Sequence, residues 1–280
     1  MSSIIAVIFD FDDTLAPDST SSFLEGRGLD VRRFWRSVDP LIHEGWDPVP
    51  AYLYRMVEES DKRGNQRFTK ADFEAHGKAI KPFAGAATIF SRIRQHVGSI
   101  SHEATVEFYV ISSGIHATIA TSSLAKQFTD IWACDFHCGT NGGIAFPKNI
   151  VSFTDKTRYL FHISKGIIGP EMRRKPFEVN RKHPQSELRI PLNNMVYVGD
   201  GYTDIPCFSV VKNGGGTAIG VYDRENREKW GRAWGFTEDG RVSNLVPTDY
   251  RKKAALADSL LMATESIARR IKLTSASYQG

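Results

Sequence analysis

The chain has 280 residues, of which 41% are hydrophobic and 24% are charged, and its formal net charge at pH 7 is +4. This length and composition provide enough apolar side chains for one large core and a smaller appended unit. The sequence contains neither zinc-finger spacing nor a long basic arm, so we predict that nucleic acid is not a partner. The mild basicity is compatible with an anionic ligand.

The cysteine count and the lengths of the apolar runs indicate the cellular compartment in which we expect the protein. Three cysteines are an odd number and do not form a disulfide framework, which favours a reducing environment. We recognise no signal peptide, and no apolar stretch reaches the roughly 20 residues that span a bilayer. We therefore expect a cytoplasmic protein without a membrane partner, and we leave its oligomeric state open.

Apolar runs and helical patterns alternate along most of the chain. The runs predict buried strands over Ile4–Phe9, Val106–Ile111, Met195–Val198 and Thr217–Tyr222. Helical spacing predicts helices over Ala86–Val97, Ile115–Phe128, Thr157–Ile163 and Tyr250–Leu273. This alternation predicts an α/β fold, with a Rossmann-like parallel sheet and helices on both of its faces.

Two segments interrupt the alternation. Residues 16–81 read as helical pieces, one of them opened by a capping box of Thr69 and Asp72, and we predict a small helical cap domain there. Residues 133–153 contain Asn-Gly-Gly between two apolar stretches, which predicts a β-hairpin flap. The α/β core is then formed by residues 1–15 and 82–280.

Polar residues follow three of the predicted strands directly. They are Asp10, Asp12 and Thr14 after the first strand, Ser112, Ser113 and Gly114 after the second, and Gly199, Asp200, Gly201 and Asp204 after the third. The carboxyl ends of parallel strands meet along one edge of an open sheet, which is where ligands bind in such folds. The topology therefore predicts that these side chains converge.

The converging carboxylates require a positive partner. Two carboxylates about 4 Å apart repel by several kcal/mol at an effective dielectric constant of about 20. Mg²⁺ prefers oxygen ligands and binds one or two carboxylates together with substrate phosphate, so we predict Mg²⁺ as the cofactor. A carboxylate such as Asp10 can attack phosphorus, and a second one two positions on, Asp12, can act as acid and then base.

A lysine is expected to help hold the phosphoryl group, together with the hydroxyl of Ser112. We favour Lys156, because Thr154 can serve as the N-cap of its helix and so bring the lysine to the sheet edge. Lys148 and Lys165 lie nearby in the sequence and are the alternatives.

Four stretches together resemble a known family. DFDDTL, from Asp10, is similar to the first motif of the haloacid dehalogenase-like hydrolases. Ser112 after VEFYVI, Lys156 in FTDKTRYL and the GDGYTD stretch from Gly199 resemble the second, third and fourth motifs, in the same order. The resemblance extends over nearly the whole chain.

The resemblance implies a role for each carboxylate. Asp10 would be the nucleophile that carries an aspartyl-phosphate, and Asp12 the general acid/base. The metal ligands would be Asp10 and Asp200, with the backbone carbonyl of Asp12. Asp204 would orient Lys156 or a metal-bound water. Because the family's dehalogenases lack the second aspartate, Asp12 implies chemistry on phosphoesters.

The remaining implied contacts concern the substrate. Phosphoryl oxygens would be bound by Lys156 and the loop Ser112-Ser113-Gly114. The position of the cap is similar to that in phosphoserine phosphatases, and Arg55 resembles a cap arginine that contacts a substrate carboxylate. Ser19 stands where that group has a glutamate for the substrate amine, so we expect another small phosphorylated metabolite.

Three functions are compatible with these residues. The leading one is a Mg²⁺-dependent phosphatase acting on a small phosphomonoester. The alternatives are a phosphotransferase of the same superfamily and a non-catalytic module that binds a phosphorylated ligand or a protein.

Overall fold

A computed structural model describes residues 3–225 and 234–277 of the chain. In these residues one sheet contains seven strands, and their bounds are β1 Ile4–Phe9, β2 Thr105–Ile115, β3 Asp130–Cys138, β4 Ile144–Asn149, β5 Met195–Gly199, β6 Thr217–Tyr222 and β7 Asn244–Pro247. The strand order is β4-β3-β2-β1-β5-β6-β7. All neighbours are parallel except β3 and β4, which are antiparallel. The predicted α/β fold with a Rossmann-like sheet is confirmed.

Helices cover both faces of the sheet. They are α5 Ala86–Ile100, α6 His116–Ile119, α7 Phe153–Lys165, α8 Ile205–Asn213 and α9 Ala255–Ser277. Alternate side chains of a strand point to opposite faces. Val7 and Phe9 of β1 accordingly share a buried cluster with α5 and α9, and Ile8 belongs to a cluster that contains side chains of α7 and α8. β1 is buried on both sides, as its continuous apolar run indicates.

Four helices between β1 and α5 form the inserted segment, residues 16–81, which is called the cap below. They are α1 Ser19–Gly26, α2 Val31–His43, α3 Pro48–Asp61 and α4 Lys70–Ala79. The capping box of Thr69 and Asp72 is present at the start of α4, as predicted. The chain leaves the core after Leu15 and returns at Phe83, whose N–H donates to the Leu15 carbonyl at 2.9 Å.

The predicted hairpin is present and extends the edge of the sheet. The first half of β3 pairs with β2, and its second half, from Asp135 to Cys138, pairs with β4. The N–H of Ile144 donates to the carbonyl of Phe68 at 2.8 Å, which joins the hairpin to the cap.

Two local predictions are wrong. The segment Ile115–Phe128 contains the short helix α6 and a single 3-10 turn over Ala125–Gln127 instead of one continuous helix. β2 continues to Ile115, and the hydroxyls of Thr121 and Ser122 bond back to carbonyls of α6. Such local bonds compete with helix continuation. Thr154 is not an N-cap: α7 begins one residue earlier, at Phe153, and Ser152 precedes it.

A helix that crosses a bilayer must be both long and apolar, and the helices of the described residues can be judged by these two properties. None of them combines the length with the apolar composition that crossing a bilayer demands. The longest, α9, has 23 residues and carries charged side chains along its length.

Candidate active site

Asp10 occupies the carboxyl end of the central strand β1. Its N–H donates to the Val198 carbonyl of β5 at 2.9 Å, so the neighbouring strand fixes its backbone. One carboxylate oxygen, Oδ1, accepts the N–H of Phe11 at 2.6 Å, and the other, Oδ2, accepts the ammonium of Lys156 at 2.7 Å. The side chain is almost fully buried at this edge.

Lys156 lies in the first turn of α7 and is completely buried. Its ammonium donates to Asp10 and to Asp204, at 2.7 Å in each case. Burial alone would lower the pKa of Lys156, but the two carboxylates raise it above its ordinary value. The lysine is therefore a permanent cation among the carboxylates.

The two alternative lysines have other contacts. Lys148 forms an ion pair with Asp135 at 2.7 Å. Lys165 donates to the backbone carbonyls of Val179 and Arg181. Of the three lysines, it is Lys156 that the structure brings to Asp10.

Asp204 supports Lys156 from the other side. Its Oδ1 also accepts the hydroxyl of Tyr197 at 2.7 Å, and its Oδ2 accepts the N–H of Gly201 at 3.1 Å. A β-carbon on Gly199 would lie 2.4 Å from Asp204 Cγ, so only glycine allows this approach. Burial raises the pKa of Asp204, and the ammonium of Lys156 acts in the opposite direction.

Tyr197 is a site residue that sequence reasoning missed. It lies within β5, inside the apolar run MVYV, where a tyrosine reads as core packing. A phenol hydroxyl buried in a core needs a partner, and that requirement is the signal that points to Asp204.

Three carboxylates cluster at this edge, and two of them bind the Lys156 ammonium. Asp10, Asp200 and Asp204 each offer an oxygen within 4.8 Å of the others. In their ionised forms these carboxylates and Lys156 combine three negative charges with one positive charge, a net charge of −2. The donors are all hard oxygens, and a divalent hard cation would neutralise the excess, so the residues fit Mg²⁺.

Asp12 and Ser112 converge around Gly114. A β-carbon on Gly114 would lie 2.6 Å from Asp12 Oδ2 and 3.4 Å from Ser112 Oγ, so the glycine allows both groups to approach the loop. The N–H of Ser19 donates to Asp12 Oδ1 at 2.9 Å. Burial, and next the negative charge of Asp18, raise the pKa of Asp12 to about 8. A carboxyl group protonated near neutral pH is suited to donate a proton.

The cap contacts the carboxyl-terminal part of β2 through Tyr52. The hydroxyl of Tyr52, from α3, donates to the carbonyl of Ser113, which lies within β2 and not after it as predicted, because the strand continues to Ile115. The Ser113 hydroxyl donates to the Val151 carbonyl at 2.8 Å, so it joins this end of β2 to the segment that precedes α7. A second link runs from Ser152, at the start of α7, to Asp47, the N-cap of α3, at 2.6 Å. Sequence reasoning missed Tyr52 and Asp47.

The hydrogen bonds and ion pair of Arg55 do not involve the residues of this cluster. It forms an ion pair with Glu58, three residues further along α3, and its Nε donates to the carbonyl of Ser37 at 2.9 Å. Both contacts are within the cap. A role for Arg55 in binding substrate therefore stays a prediction.

Comparison with known proteins agrees with the fold and with the four motifs. The family model described as haloacid dehalogenase-like hydrolase matches residues 7–209, which include all four motifs. The chain belongs to this family.

Individual relatives are more distant. An uncharacterised protein of Borreliella burgdorferi is 26% identical over 233 residues, which cover 75% of this chain and 79% of the relative. The structure of a phosphoserine phosphohydrolase-like protein from Francisella tularensis matches with a TM-score of 0.55 and 15% identity, covering 94% of this chain and 100% of that one. A phosphoserine phosphatase described as a phospho-aspartyl intermediate analogue matches with a TM-score of 0.52 and 16% identity, covering 91% and 97% of the two chains. At these identities the similarity establishes the fold.

Proposed function

We propose that this chain is a Mg²⁺-dependent phosphatase that hydrolyses a small phosphomonoester through an aspartyl-phosphate on Asp10. The observation that carries the proposal is the buried ammonium of Lys156 between Asp10 and Asp204. This contact assembles the first, third and fourth motifs of a hydrolase family in one place. The carboxylates Asp10 and Asp200 would hold the metal ion, with the backbone carbonyl of Asp12.

The first half of the proposed reaction transfers the phosphoryl group to the protein. An oxygen of Asp10 forms a bond to phosphorus while the bond from phosphorus to the leaving oxygen breaks. Asp12 gives its proton to that oxygen, so the alcohol leaves neutral. Lys156 and the hydroxyl of Ser112 would donate to the phosphoryl oxygens.

The second half returns the enzyme to its starting state. Water attacks phosphorus, the bond to the Asp10 oxygen breaks, and the Asp12 carboxylate accepts the proton that water loses. Bound Mg²⁺ supplies electrophilic stabilisation of the charge on the phosphoryl group.

The substrate is proposed only as a class. Ser19 is buried, and its backbone N–H is engaged by Asp12. Asp18, the acidic residue adjacent in sequence, accepts from both the N–H and the hydroxyl of Ser21 as the N-cap of α1. Neither supports recognition of the phosphoserine amine, so we propose a different small phosphorylated metabolite.

Phosphate release from p-nitrophenyl phosphate tests the proposed chemistry. We expect release that requires Mg²⁺, stops with a chelator and is absent from Asp10→Asn. A panel of phosphorylated metabolites, with phosphoserine included, then identifies the substrate class. Product formation that depends on an added alcohol acceptor would indicate a phosphotransferase instead. Binding of phosphorylated ligands without any turnover would indicate a binding module.

A further inference from the structure

A cavity of about 460 Å³ lies along the outer edge of β3, bounded by the end of β4, one side of α7 and residues 172–176. Its walls include none of the carboxylates or the lysine of the catalytic cluster. The volume falls within the range of about 300–1,000 Å³ that is typical of small-molecule sites. The apolar floor is formed by the side chains of Trp132, Tyr159 and Met172, and Ile131 and Ala133 line the cavity with side chains that belong to the core on the opposite face of the sheet.

Side chains close the backbone edge inside this cavity. β4 pairs with residues 135–138 only, so the earlier part of β3 has no strand beside it here. Arg173 donates to the carbonyl of Ile131 at 3.1 Å, and Asn149 donates to the carbonyl of Ala133 at 2.8 Å. Because these carbonyls already accept hydrogen bonds from side chains, they are not available to pair with an added strand. The space is therefore suited to a small molecule.

The aromatic floor offers ring edges to a ligand. The ring of Trp132 is stacked between Tyr109 and Tyr159, with centroid distances of 5.9 and 5.3 Å. The other face of Tyr159 is covered by the guanidinium of Arg158, 4.8 Å from the ring centroid. The floor therefore fits an apolar body lying against ring edges and aliphatic groups.

The charged groups of the walls are mainly cations. Lys148, Arg158 and Arg173 line the cavity together with the carboxylate Asp135. Lys148 pairs with Asp135 at 2.7 Å, and Arg173 pairs at 2.6 Å with Asp130, a buried carboxylate just outside the walls. Arg158 has its nearest carboxylate, Asp155, at 3.7 Å, donates once to the Tyr159 hydroxyl and is 43% exposed, so its guanidinium keeps donors for a ligand. An anionic group is the natural partner of such a guanidinium.

Two half-buried imidazoles complete the walls. His116 begins α6 and His162 lies on α7, one turn beyond Arg158. Burial, and then the neighbouring cations Arg173 and Arg158, lower the pKa of His116 and of His162 respectively. A neutral imidazole offers one donor and one acceptor, which suits polar atoms beside the anionic group.

We propose that this cavity is a second ligand site, which binds a small organic anion with an apolar body. The anionic head group lies at Arg158, and the body lies on the floor formed by Trp132 and Met172. This site is separate from the phosphatase chemistry proposed above, and its test does not depend on turnover.

The test uses 1-anilinonaphthalene-8-sulfonate, which combines an aromatic body with one negative charge. Its fluorescence is titrated with excitation of the tryptophans, and the neutral N-phenyl-1-naphthylamine is titrated in parallel. We expect one saturable site for the anion and binding at least about tenfold weaker for the neutral probe, which loses a charge-assisted hydrogen bond.

Three variants locate the binding. Arg158→Gln should raise the dissociation constant about tenfold, since it removes the cation without touching the catalytic cluster. Met172→Trp should also weaken binding, because the larger side chain occupies part of the floor on which the apolar body lies. Arg36→Gln, an exposed arginine on α2, is the matched control and should bind as the native chain does.

The proposal is overturned if the anion does not bind the native chain or if the neutral probe binds equally well. It is also overturned if Arg158→Gln and Met172→Trp both leave the dissociation constant unchanged. A urea midpoint equal to that of the native chain shows that each variant is folded.

Discussion

The sheet edge and the cap differ in how their functional side chains are held. At the edge, Asp10, Lys156 and Asp204 are buried and bonded to one another. The cap reaches this edge through a few hydrogen bonds, from Tyr52 to the Ser113 carbonyl and from Ser152 to Asp47. On the proposed function, we therefore expect changes at the sheet edge to affect kcat and changes at the cap contacts to affect KM.

The largest expected effect comes from removing the nucleophile at the edge. Asp10→Asn should lower kcat at least about 1,000-fold, because a carboxamide cannot form the phosphorylated intermediate. Asp39→Asn, on the exposed side of α2, is the matched control and should keep full activity. Steady-state phosphate release measures both variants. Turnover by Asp10→Asn within tenfold of the native chain is incompatible with the proposed mechanism.

Lys156→Met should affect folding as well as activity. Two buried carboxylates lose their shared cation, and breaking a buried ion pair in this way costs about 3–5 kcal/mol of unfolding free energy. Urea denaturation monitored by tryptophan fluorescence measures the loss.

Lys148→Met provides the comparison for Lys156. Its ion pair is solvent-exposed, and such pairs contribute about 0–1 kcal/mol. Equal losses in the two variants would show that the Lys156 ammonium is not the central partner of the carboxylates.

Tyr197→Phe tests the hydrogen bond from Tyr197 to Asp204, the carboxylate that binds Lys156. Loss of the hydroxyl leaves Asp204 with one hydrogen bond fewer, and we expect kcat to fall about tenfold with little change in KM. Tyr109→Phe is a matched control on β2, which β1 separates from β5, because its hydroxyl bonds Glu107. It should lower the unfolding free energy by about 1 kcal/mol and leave kcat unchanged. A parallel fall in kcat in both variants would indicate general loosening of the sheet.

Tyr52→Phe tests the cap and should give the smallest effect. It removes the hydrogen bond to Ser113, so we expect KM to rise about fivefold, a change worth roughly 1 kcal/mol. Tyr54→Phe, on the exposed side of the same helix, should leave KM unchanged. If kcat instead falls by a larger factor than KM rises, Tyr52 belongs to the groups that align the reacting atoms.

Sequence reasoning succeeds where a strand ends in polar residues. β1 is an uninterrupted apolar run followed by Asp10, and the parallel topology then brings Asp200 and Asp204 to the same edge. The sequence favours Lys156 over Lys148 and Lys165 because Thr154 is expected to cap its helix; the lysine does reach the edge, although the helix begins at Phe153 and Thr154 does not cap it. The side chain still reaches the edge because the first turn of α7 points towards it.

Residues that act through a single tertiary contact were not predictable. Tyr197 and Tyr52 occupy positions where an aromatic ring is ordinary core packing, and their hydroxyls find Asp204 and Ser113 only after folding. The end of α6 was missed for a related reason, because the hydroxyls of Thr121 and Ser122 bond back to the helix within a pattern that reads as helical.

The central claim is that Asp10 carries the phosphoryl group during turnover. The direct measurement is a single-turnover reaction with p-nitrophenyl phosphate and Mg²⁺, quenched in acid and followed by peptide mass spectrometry. We predict one phosphoryl group on the peptide that contains Asp10, and none when Asp10→Asn is treated in the same way. Complete release of phosphate at the native rate, with no phosphoryl group on that peptide at any quench time, would contradict the account.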